Sequence, residues 1–300
     1  MTAGTSQSAL TARLLKHLRH LAGERHPHQA PAALQYAEQY LTRTFQEAGG
    51  AVKAHAFRAL GGTYHNVVAA FPASSLRARQ TLPPLILGAH YDTHEGSPGA
   101  DDNASALAVL LETAAALGAH PPARPVWCVA FCLEEFNLLG SRAYVASLRK
   151  QGRAIRGAII LECVGFANDA LGTQRQPPIP VPLPNVGNFL GVVGNDPARP
   201  LTTALTAAAA EATHPLPIVA MTVPGNGEAL PDTRRSDHAA FWDYGYPAVM
   251  LTDTANFRNP HYHQPTDTVE TLNLDFMAQV TRCVTSAVRA LTSADSGEGV

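Results

Sequence analysis

The sequence predicts one α/β domain in which helices cover both faces of a mixed, mostly parallel sheet. From about residue 85 onward, short apolar runs alternate with helical patterns, and the connections between them are short. Such alternation favours parallel strands joined by crossover helices. The length of 300 residues suits one large domain with a sizeable core. We therefore expect a three-layer α/β/α sandwich over residues 1–292 and a disordered tail over residues 293–300.

The individual elements follow from the spacing of apolar residues. Two N-terminal helices are predicted at Leu10–Ala22 and Pro31–Ala48, packed on the rest of the domain. The predicted strands are Ala51–Ala59, Tyr64–Phe71, Leu85–Tyr91, Val126–Leu133, Gly157–Cys163, Phe189–Gly194, Pro217–Val223 and Ala248–Asp253. The other predicted helices are Ala104–Gly118, Leu138–Gln151, Pro200–Ala212, a short one near His238–Tyr244, and Asp275–Thr292. The proline-rich segment Gln176–Pro184 is expected to be a loop beside the site, with a polyproline ligand as the alternative.

Composition and charge exclude several classes of protein. The formal net charge of -2 gives no general attraction to nucleic acid or to acidic membrane surfaces. No stretch has the roughly 18 uninterrupted apolar residues of a membrane span, and the N-terminal residues lack the apolar core of a signal peptide. We therefore expect a cytoplasmic protein with neither nucleic-acid nor membrane partners. The sequence leaves the oligomeric state open.

The four cysteines are interpreted as buried small hydrophobic residues rather than as disulfides. Cys128 and Cys132 are four residues apart on one predicted strand, which separates them by about 13 Å, beyond bridging distance. Cys163 and Cys283 lie in apolar surroundings. The sequence has no C-x-x-C spacing, which would indicate a redox or metal motif.

Acidic residues and histidines collect where the third predicted strand ends. His90 and Asp92 follow an apolar run, and Asp101 and Asp102 come just before a helical pattern. A solvated turn explains most His-x-Asp triplets, although an imidazole ligand usually donates its other N–H to a carboxylate such as Asp92. Asp102 or Asn103 would serve as the helix N-cap. Because capping explains one aspartate better than two, a carboxylate bridging two metal ions would suit the second.

Three more carboxylates follow the next two predicted strands. Glu134 and Glu135 come after an apolar strand, where adjacent negative charges repel each other unless a cation lies nearby. A helix N-terminus that favours acids is the structural alternative. Glu162 lies in an otherwise apolar strand, where a charge is costly unless it is paired or binds metal. Since ligands bind at the carboxyl ends of strands in such sheets, the sequence predicts a hydrolytic metal site there.

Six motifs in a fixed order make this prediction specific. They are HYD at residues 90–92, GADDNASA at 99–106, EE followed by LLGS at 134–141, LECVGF at 161–166, SDHAAFW at 236–242 and HYHQPTDT at 261–268. In this order they resemble the zinc-dependent exopeptidases of metallopeptidase family 28, which include bacterial leucyl aminopeptidases, glutamate carboxypeptidase and glutaminyl cyclases. The resemblance covers roughly Ala30 to Leu291. It implies a single metallopeptidase domain with the zinc-exopeptidase fold, a largely parallel sheet between helices.

The resemblance implies a set of metal ligands. His90 and Glu162 would bind one zinc ion, and Glu135 and His263 would bind the other. Asp102 would bridge both ions. Glu162 stands where many aminopeptidases have aspartate, so the longer side chain could change the metal spacing. Two divalent ions are expected, zinc first, with cobalt or manganese as alternatives for this set of nitrogen and oxygen donors.

The resemblance also implies residues that act beside the metals. Asp92 would orient His90, and Glu134 would be the general base that activates water for attack on the peptide bond. Asp237 and His238 match a motif near the site and would support it. The expected substrate is a peptide with a free N-terminus, which makes an aminopeptidase the first functional prediction.

Three alternatives remain open from the sequence. A glutaminyl-cyclase-like acyltransferase would use one zinc ion, against which the intact ligand set argues. A binding protein on the same fold would typically have lost ligands. A carboxypeptidase for acidic peptides would need cationic residues near the site, of which Arg235 is the candidate. The loop arginines that could serve, or that could simply be solvated, are Arg175, Arg234, Arg235 and Arg258.

Overall fold

The computed structural model describes residues 3–212 and 215–293. Most of the predicted tail, residues 294–300, lies outside the described residues. Within the described ranges, no helix combines the length and apolarity needed to cross a bilayer. All four cysteines fall within the same ranges and are buried free thiols, as predicted.

Helices and strands alternate in the described ranges in the order that the sequence predicts. The helices are α1 (Ala3–Leu21), α2 (Pro31–Glu47), α3 (Leu76–Thr81), α4 (Ala106–Ala119), α5 (Leu139–Lys150), α6 (Arg199–Ala210), α7 (His238–Asp243) and α8 (Leu274–Thr292). The strands are β1 (Ala51–Ala59), β2 (Gly62–Phe71), β3 (Leu85–His90), β4 (Val126–Phe131), β5 (Gly157–Glu162), β6 (Asn168–Leu171), β7 (Val186–Gly187), β8 (Leu190–Asn195), β9 (Ile218–Val223) and β10 (Ala248–Thr252).

The main sheet is mixed and mostly parallel, which confirms the predicted fold class. Its strand order is β1-β2-β4-β3-β5-β10-β8-β9. The four central strands β4, β3, β5 and β10 are parallel to their neighbours in that group. Antiparallel pairing occurs at β1–β2, β2–β4 and β8–β10. The carboxyl ends of the four central strands therefore meet at one edge of the sheet, where ligands bind in open α/β sheets.

Side chains on successive residues of the central strands pack on opposite faces of the sheet. Leu85 and Leu87 of β3 lie in a core with α1, α2, α4, α6 and α8, whereas Ile86 lies in a core with α5 and α7. The alternation follows from the two-residue period of a strand. Because both faces are buried, the strands are nearly continuous apolar runs, as in other helix-covered parallel sheets.

The largest difference from the prediction lies between β3 and α4. We expected a helix from Ala104 with Asp102 or Asn103 as its N-cap, and this is wrong. Residues Ala100–Ser105 form a π-type turn instead, and α4 begins at Ala106 without a side-chain cap. The Asn103 side chain bonds to β5 and the residue after it, donating to the Leu161 carbonyl (3.1 Å) and accepting from the Cys163 N–H (3.0 Å).

The proline-rich segment is a loop, as predicted, and it lies beside a pocket at the carboxyl edge of the sheet. It is flanked by the short antiparallel pair β6 and β7, which the sequence analysis missed. The short helix α3 was also missed, although Ser75 caps it by accepting a hydrogen bond from the Ala78 N–H (3.1 Å).

Candidate metal centre

Acidic and imidazole side chains converge at the carboxyl edge of the central strands. His90 and Glu162 are the last residues of β3 and β5. Glu134 and Glu135 follow β4, and His263 lies in the long connection after β10. Each of these residues was predicted from the sequence, and the parallel arrangement of the four strands brings them together.

Asp102 lies between two imidazoles. Its Oδ1 is 3.1 Å from His90 Nε2, and its Oδ2 is 3.0 Å from His263 Nε2. Each imidazole also faces a second carboxylate, since His90 Nε2 is 3.4 Å from Glu162 Oε2 and His263 Nε2 is 3.4 Å from Glu135 Oε2. The arrangement is two imidazole–carboxylate pairs joined through one shared carboxylate.

The donor atoms of this centre are suited to binding metal ions. Within the described part of the chain, His90 Nε2, Asp102 Oδ1, Glu135 Oε1 and His263 Nε2 are buried and have no hydrogen-bond partner. Buried polar atoms are normally satisfied, and each exception needs an explanation. The atoms of Asp102, Glu135 and His263 lie within 4.8 Å of one another, as do those of His90, Glu134 and Glu162. Imidazole nitrogen and carboxylate oxygen are donors that zinc accepts.

Asp92 holds both the first imidazole and the two glutamates. Its Oδ1 lies 3.5 Å from His90 Nδ1. The same carboxylate accepts hydrogen bonds from the backbone N–H groups of Glu134 (3.0 Å) and Glu135 (3.2 Å). One aspartate therefore positions three neighbouring residues of the centre, which is more than the predicted orientation of His90.

The adjacent aspartates divide into two roles. Asp101 faces away from the imidazoles, because its Oδ1 accepts from the Gly165 N–H (2.9 Å) and its Oδ2 accepts from the Asn259 side chain (2.7 Å). Asp267 accepts from the N–H groups of both Asp101 (2.9 Å) and Asp102 (3.2 Å). Asp101 and Asp267 thus fix the turn that presents Asp102, and the sequence analysis included Asp267 only as part of the HYHQPTDT motif.

Glu162 is held by two neighbours. Ser236 Oγ donates a hydrogen bond to Glu162 Oε2 (2.7 Å), and the Cys163 thiol lies 3.4 Å from Oε1. Sequence reasoning missed Ser236, although it belongs to the SDH triplet that was singled out. These two contacts fix the longer side chain that stands here in place of aspartate.

The two residues after Ser236 are both buried. Burial raises the pKa of Asp237 to about 7, and Asp237 in turn raises the pKa of Glu134. His238 lies edge-on against Trp242, and its Nε2 is 2.7 Å from the Thr233 carbonyl. Burial lowers the pKa of His238 to about 4. The charge of Asp237 therefore acts on Glu134 of the centre, whereas His238 packs against Trp242 of its own helix. The supporting role of both residues stays a prediction.

Glu134 has the proton affinity expected of a proton-transfer group. Burial raises the pKa of its carboxyl well above the usual range, and the nearby Glu162, Glu135 and Asp237 raise it further against the lowering effect of His90. Its Oε2 is 3.9 Å from His90 Nε2, farther than the oxygens of Asp102 and Glu162. A buried carboxyl with a raised pKa beside a cluster of imidazoles and carboxylates is a candidate for proton transfer.

An apolar pocket adjoins the centre on the side of Glu162. The proline-rich loop forms one wall, β8, β9 and β10 contribute further side chains, and the rest come from Glu162, residues 232–235 and the connection after β10. The apolar lining includes Pro177, Ile179, Val181, Val193, Val219, Met221 and Met250, and the polar rim includes Glu162, Asp232, Arg235 and Tyr262. The side chains from the proline-rich loop and from β8, β9 and β10 are mostly apolar, so this part of the pocket is suited to an aliphatic or aromatic side chain.

Of the four arginines considered, Arg235 alone lines this pocket. Its guanidinium donates to the Asn256 side chain (2.8 Å) and to the Tyr262 hydroxyl (3.3 Å). Arg234 pairs with Asp243 at 2.5 Å, and Arg175 bonds the Asn256 carbonyl. Arg258 is buried and donates to the Gln174 side chain (2.8 Å). Only Arg235 is therefore placed to meet a ligand.

The metal-free protein is expected to lose stability as the pH rises from 7 to 8.5. Burial lowers the pKa of His263, but the nearby carboxylates of Asp102 and Glu135 outweigh burial and raise this pKa to about 10, whereas an unfolded histidine has a pKa of about 6.5. A raised folded pKa gives stability that is present below the unfolded pKa and is lost as the pH rises toward the folded value. For His263 the loss over this interval is on the order of 2 kcal/mol.

Urea unfolding of chelator-treated protein at several pH values measures this loss. Protein saturated with zinc serves as the control and should show no such decline, because metal ligands must be deprotonated and metal affinity rises with pH. A metal-free protein as stable at pH 8.5 as at pH 7 would contradict the close contact of His263 with two carboxylates.

Comparison with known proteins adds independent information about this centre. Residues 66–288 match the model of a family described as peptidase family M28. The uncharacterized protein YfbL of Escherichia coli is 34% identical over 298 residues, covering 92% of this chain and 87% of YfbL. Leucine aminopeptidase 1 of Arthroderma otae is 24% identical over 245 residues, covering 76% of this chain. The chain spans 58% of that aminopeptidase's length.

Solved structures share the fold. The LapA aminopeptidase of Legionella pneumophila superposes with a TM-score of 0.73 at 18% identity, covering 98% of this chain and 75% of LapA. A zinc aminopeptidase from Bacillus subtilis has a TM-score of 0.59 at 23% identity, and the match covers 79% of this chain and 52% of the aminopeptidase chain. A glutaminyl cyclase from Porphyromonas gingivalis has a TM-score of 0.68 at 18% identity, covering 95% and 98%. At these identities the structures establish the fold alone.

Proposed function

Because the chain belongs to peptidase family M28 and is thereby a hydrolase of peptide bonds, we propose that it is a two-metal aminopeptidase. The observation that carries the proposal is Asp102, whose two oxygens each face a separate imidazole, at 3.1 and 3.0 Å. A carboxylate shared in this way is suited to bridging two ions. The intact set of donors speaks against a protein that keeps only the fold.

Zinc is the proposed metal. His90 and Glu162 would hold one ion, Glu135 and His263 the other, and Asp102 would bridge them. The unpartnered nitrogens of both histidines support this choice, as does the shared fold of the B. subtilis zinc aminopeptidase. When bound, the pair of ions would supply Lewis acidity and lower the pKa of the attacking water.

Glu134 is the proposed general base. In its ionised form the Glu134 carboxylate would accept a proton from the attacking water and return that proton to the leaving amine. Asp92 sets its position through the Glu134 N–H (3.0 Å), so the base and the imidazole of His90 are held by one carboxylate. The acidic surroundings of the centre also suit the positively charged α-amine of a peptide N-terminus.

The apolar pocket is the proposed site for the substrate's N-terminal side chain. Placing a charge in its wall should therefore lower activity on leucyl substrates. Ile179→Asp is expected to reduce kcat/KM for leucine p-nitroanilide at least tenfold, since an apolar side chain contributes about 1–3 kcal/mol of discrimination in such pockets. Steady-state kinetics with leucyl and alanyl substrates measure this effect, and the alanyl substrate should lose less.

Leu171→Asp is the matched control for this change. Leu171 lies on β6 beside the same loop, is 82% exposed and does not line the pocket. It should leave both kcat/KM values unchanged. If Ile179→Asp lowered kcat/KM equally for leucyl and alanyl substrates, or if both variants lowered it equally, the pocket would not be the site that selects the N-terminal side chain.

The proposed activity is tested with free and acetylated leucine p-nitroanilide after zinc titration of chelator-treated protein. We expect hydrolysis of the free amine only, with activity rising until two zinc ions are bound per chain. Full activity with one ion would contradict the two-metal mechanism. Equal hydrolysis of the acetylated substrate would contradict the preference for a free N-terminus.

A carboxypeptidase for acidic peptides is the second candidate, and the position of Arg235 at the rim of the pocket favours it. A guanidinium there could bind a substrate carboxylate. Arg235→Gln should then abolish release of C-terminal acidic residues. If Arg235→Gln leaves the preference among peptides unchanged, this candidate fails and the aminopeptidase proposal stands.

A further inference from the structure

Arg25 is a buried cation in the connection between α1 and α2. It is 2% exposed, although its side chain is charged. It precedes residues 66–288, the stretch that matches the family model. The guanidinium donates to the carbonyl oxygens of Tyr91 (2.8 Å), Pro98 (3.2 Å) and Gly99 (3.1 Å), and also to those of Gly23 (2.7 Å) and Leu21.

Three of these carbonyls belong to the loop that carries the metal centre. Tyr91 directly follows His90, and Pro98 and Gly99 lead into the turn that presents Asp102. Arg25 therefore joins the two ends of the loop of residues 91–99. Since a guanidinium presents its five N–H groups in a rigid planar fork, it fixes several acceptors at once.

Backbone hydrogen bonds of the same connection reinforce this junction. The Gly23 N–H donates to the Pro98 carbonyl (2.7 Å), and the Arg25 N–H donates to Thr93 Oγ1 (2.8 Å). Gly99 has a φ of +60°, and a Cβ there would lie 2.4 Å from the Asp102 carbonyl oxygen and 3.0 Å from Arg25 Nη2. Because the junction is tightly packed, a displacement of the Arg25 side chain would also displace Gly99 and the turn that carries Asp102.

The charge of Arg25 also acts on the centre. Burial lowers its pKa to about 10, against the raising effect of Asp92, Asp102, Asp267 and Glu135, so the side chain is a cation at neutral pH. A positive charge near four carboxylates reduces the repulsion among them. The acidic centre thus has a permanent counter-charge supplied from outside the matched stretch.

We propose that Arg25 is a positioning residue of the metal centre, whose guanidinium fixes the loop of residues 91–99 so that Asp92 and Asp102 keep their places beside His90. The N-terminal connection is then a required part of the site. The inference rests on the proposed two-metal function. Its main test is zinc binding, which is measured without reference to any substrate.

The test compares Arg25→Lys with Arg13→Gln. Lysine keeps the charge and loses the fork. Arg13 ties α1 to α4 through Glu112 (2.8 Å), away from the centre, so its variant controls for loosened helix packing. Zinc affinity is measured by competition with a chelator, unfolding is followed in the metal-free state, and kcat and KM are measured with leucine p-nitroanilide.

Arg25→Lys is expected to weaken zinc binding ten- to a hundredfold, which is the usual effect of losing a group that orients metal ligands. It should also lower kcat more than it raises KM. Arg13→Gln should lower the unfolding temperature and leave zinc affinity unchanged. If zinc affinity of Arg25→Lys equals that of the unsubstituted protein, or if both variants lose affinity in proportion to their unfolding temperatures, Arg25 is structural only and the proposal is overturned.

A milder variant keeps the test decisive if Arg25→Lys does not fold. Thr93→Val is nearly isosteric and removes only the hydroxyl that accepts from the Arg25 N–H. We expect a several-fold loss of zinc affinity, and an unchanged affinity would overturn the proposal. Weakened zinc binding in a protein that cleaves no peptide would retain the role of Arg25 and reject the proposed function instead.

Discussion

Glu134→Gln is expected to lower kcat on leucine p-nitroanilide by about a thousandfold while leaving KM within a few-fold of its original value. The amide cannot accept the proton of the attacking water, and general-base catalysis typically contributes 100- to 10,000-fold. A thousandfold loss corresponds to about 4 kcal/mol of transition-state stabilisation. Glutamine keeps the size of the side chain, and the backbone N–H of residue 134 can still donate to Asp92.

Zinc stoichiometry distinguishes loss of the base from loss of the metal. The Glu134→Gln protein should still bind two ions, because the five proposed ligands are intact. Glu47→Gln is the matched control, since Glu47 is exposed at the end of α2, where its carboxylate lies 3.9 Å from Arg43 of the same helix. It should keep full activity. Near-normal turnover in Glu134→Gln would remove Glu134 from the role of general base.

Asp102→Asn is expected to weaken the binding of both zinc ions and to abolish measurable turnover. The amide is neutral and offers one oxygen where the carboxylate offers two, so it cannot bind both zinc ions through separate oxygens. We expect each of two binding steps, measured by calorimetric titration with zinc, to weaken at least a hundredfold. Removal of a direct ligand should exceed the tenfold to hundredfold effect of losing an outer-shell partner.

Two further variants serve as comparisons within the same centre. Glu162→Gln should weaken mainly one binding step, and Glu135→Gln mainly the other, because each glutamate faces a different imidazole. Asp102→Asn should affect both steps. If Asp102→Asn weakened only one step and left the other intact, Asp102 would be a ligand of a single ion and the bridging assignment would be wrong.

Much of the fold could be predicted from the sequence because strand and helix periods differ. The run from Leu85 to Ala89 is apolar, as is typical of a strand buried on both faces. The parallel arrangement then requires the ends of neighbouring strands to meet. This topological rule, rather than any single motif, explains why His90, Glu134 and Glu162 could be assigned to one place from their positions in the chain.

The parts that the sequence did not predict depend on contacts between distant residues. Asn103 resembles a helix cap locally, but its side chain bonds β5 residues about sixty positions away. Ser236 was named as part of the SDHAAFW motif and given no partner, because its distance from Glu162 depends on how the segment before α7 packs against β5. Arg25 has no local signal at all, since its acceptors lie on a loop that folds back onto the α1–α2 connection.

The contacts that orient the proposed metal ligands also determine how the geometry of the site could differ between chains with the same motifs. Ligand identity is visible in the motifs, whereas groups that orient the ligands come from three different connections. Asp267, Ser236 and Arg25 each fix a different part of the centre. A chain with the same six motifs and different residues at these positions would keep the donors and change their geometry.

The most direct test of the proposed aminopeptidase is mass spectrometry of a mixed peptide pool incubated with zinc-loaded protein, with Glu134→Gln as the inactive comparison. The pool contains peptides with free, blocked and glutamine N-termini. We predict stepwise loss of N-terminal residues from the unblocked peptides, fastest where that residue is apolar. Loss of ammonia from glutamine peptides alone, loss of residues from the C-terminus, or an unchanged pool would contradict the proposed function.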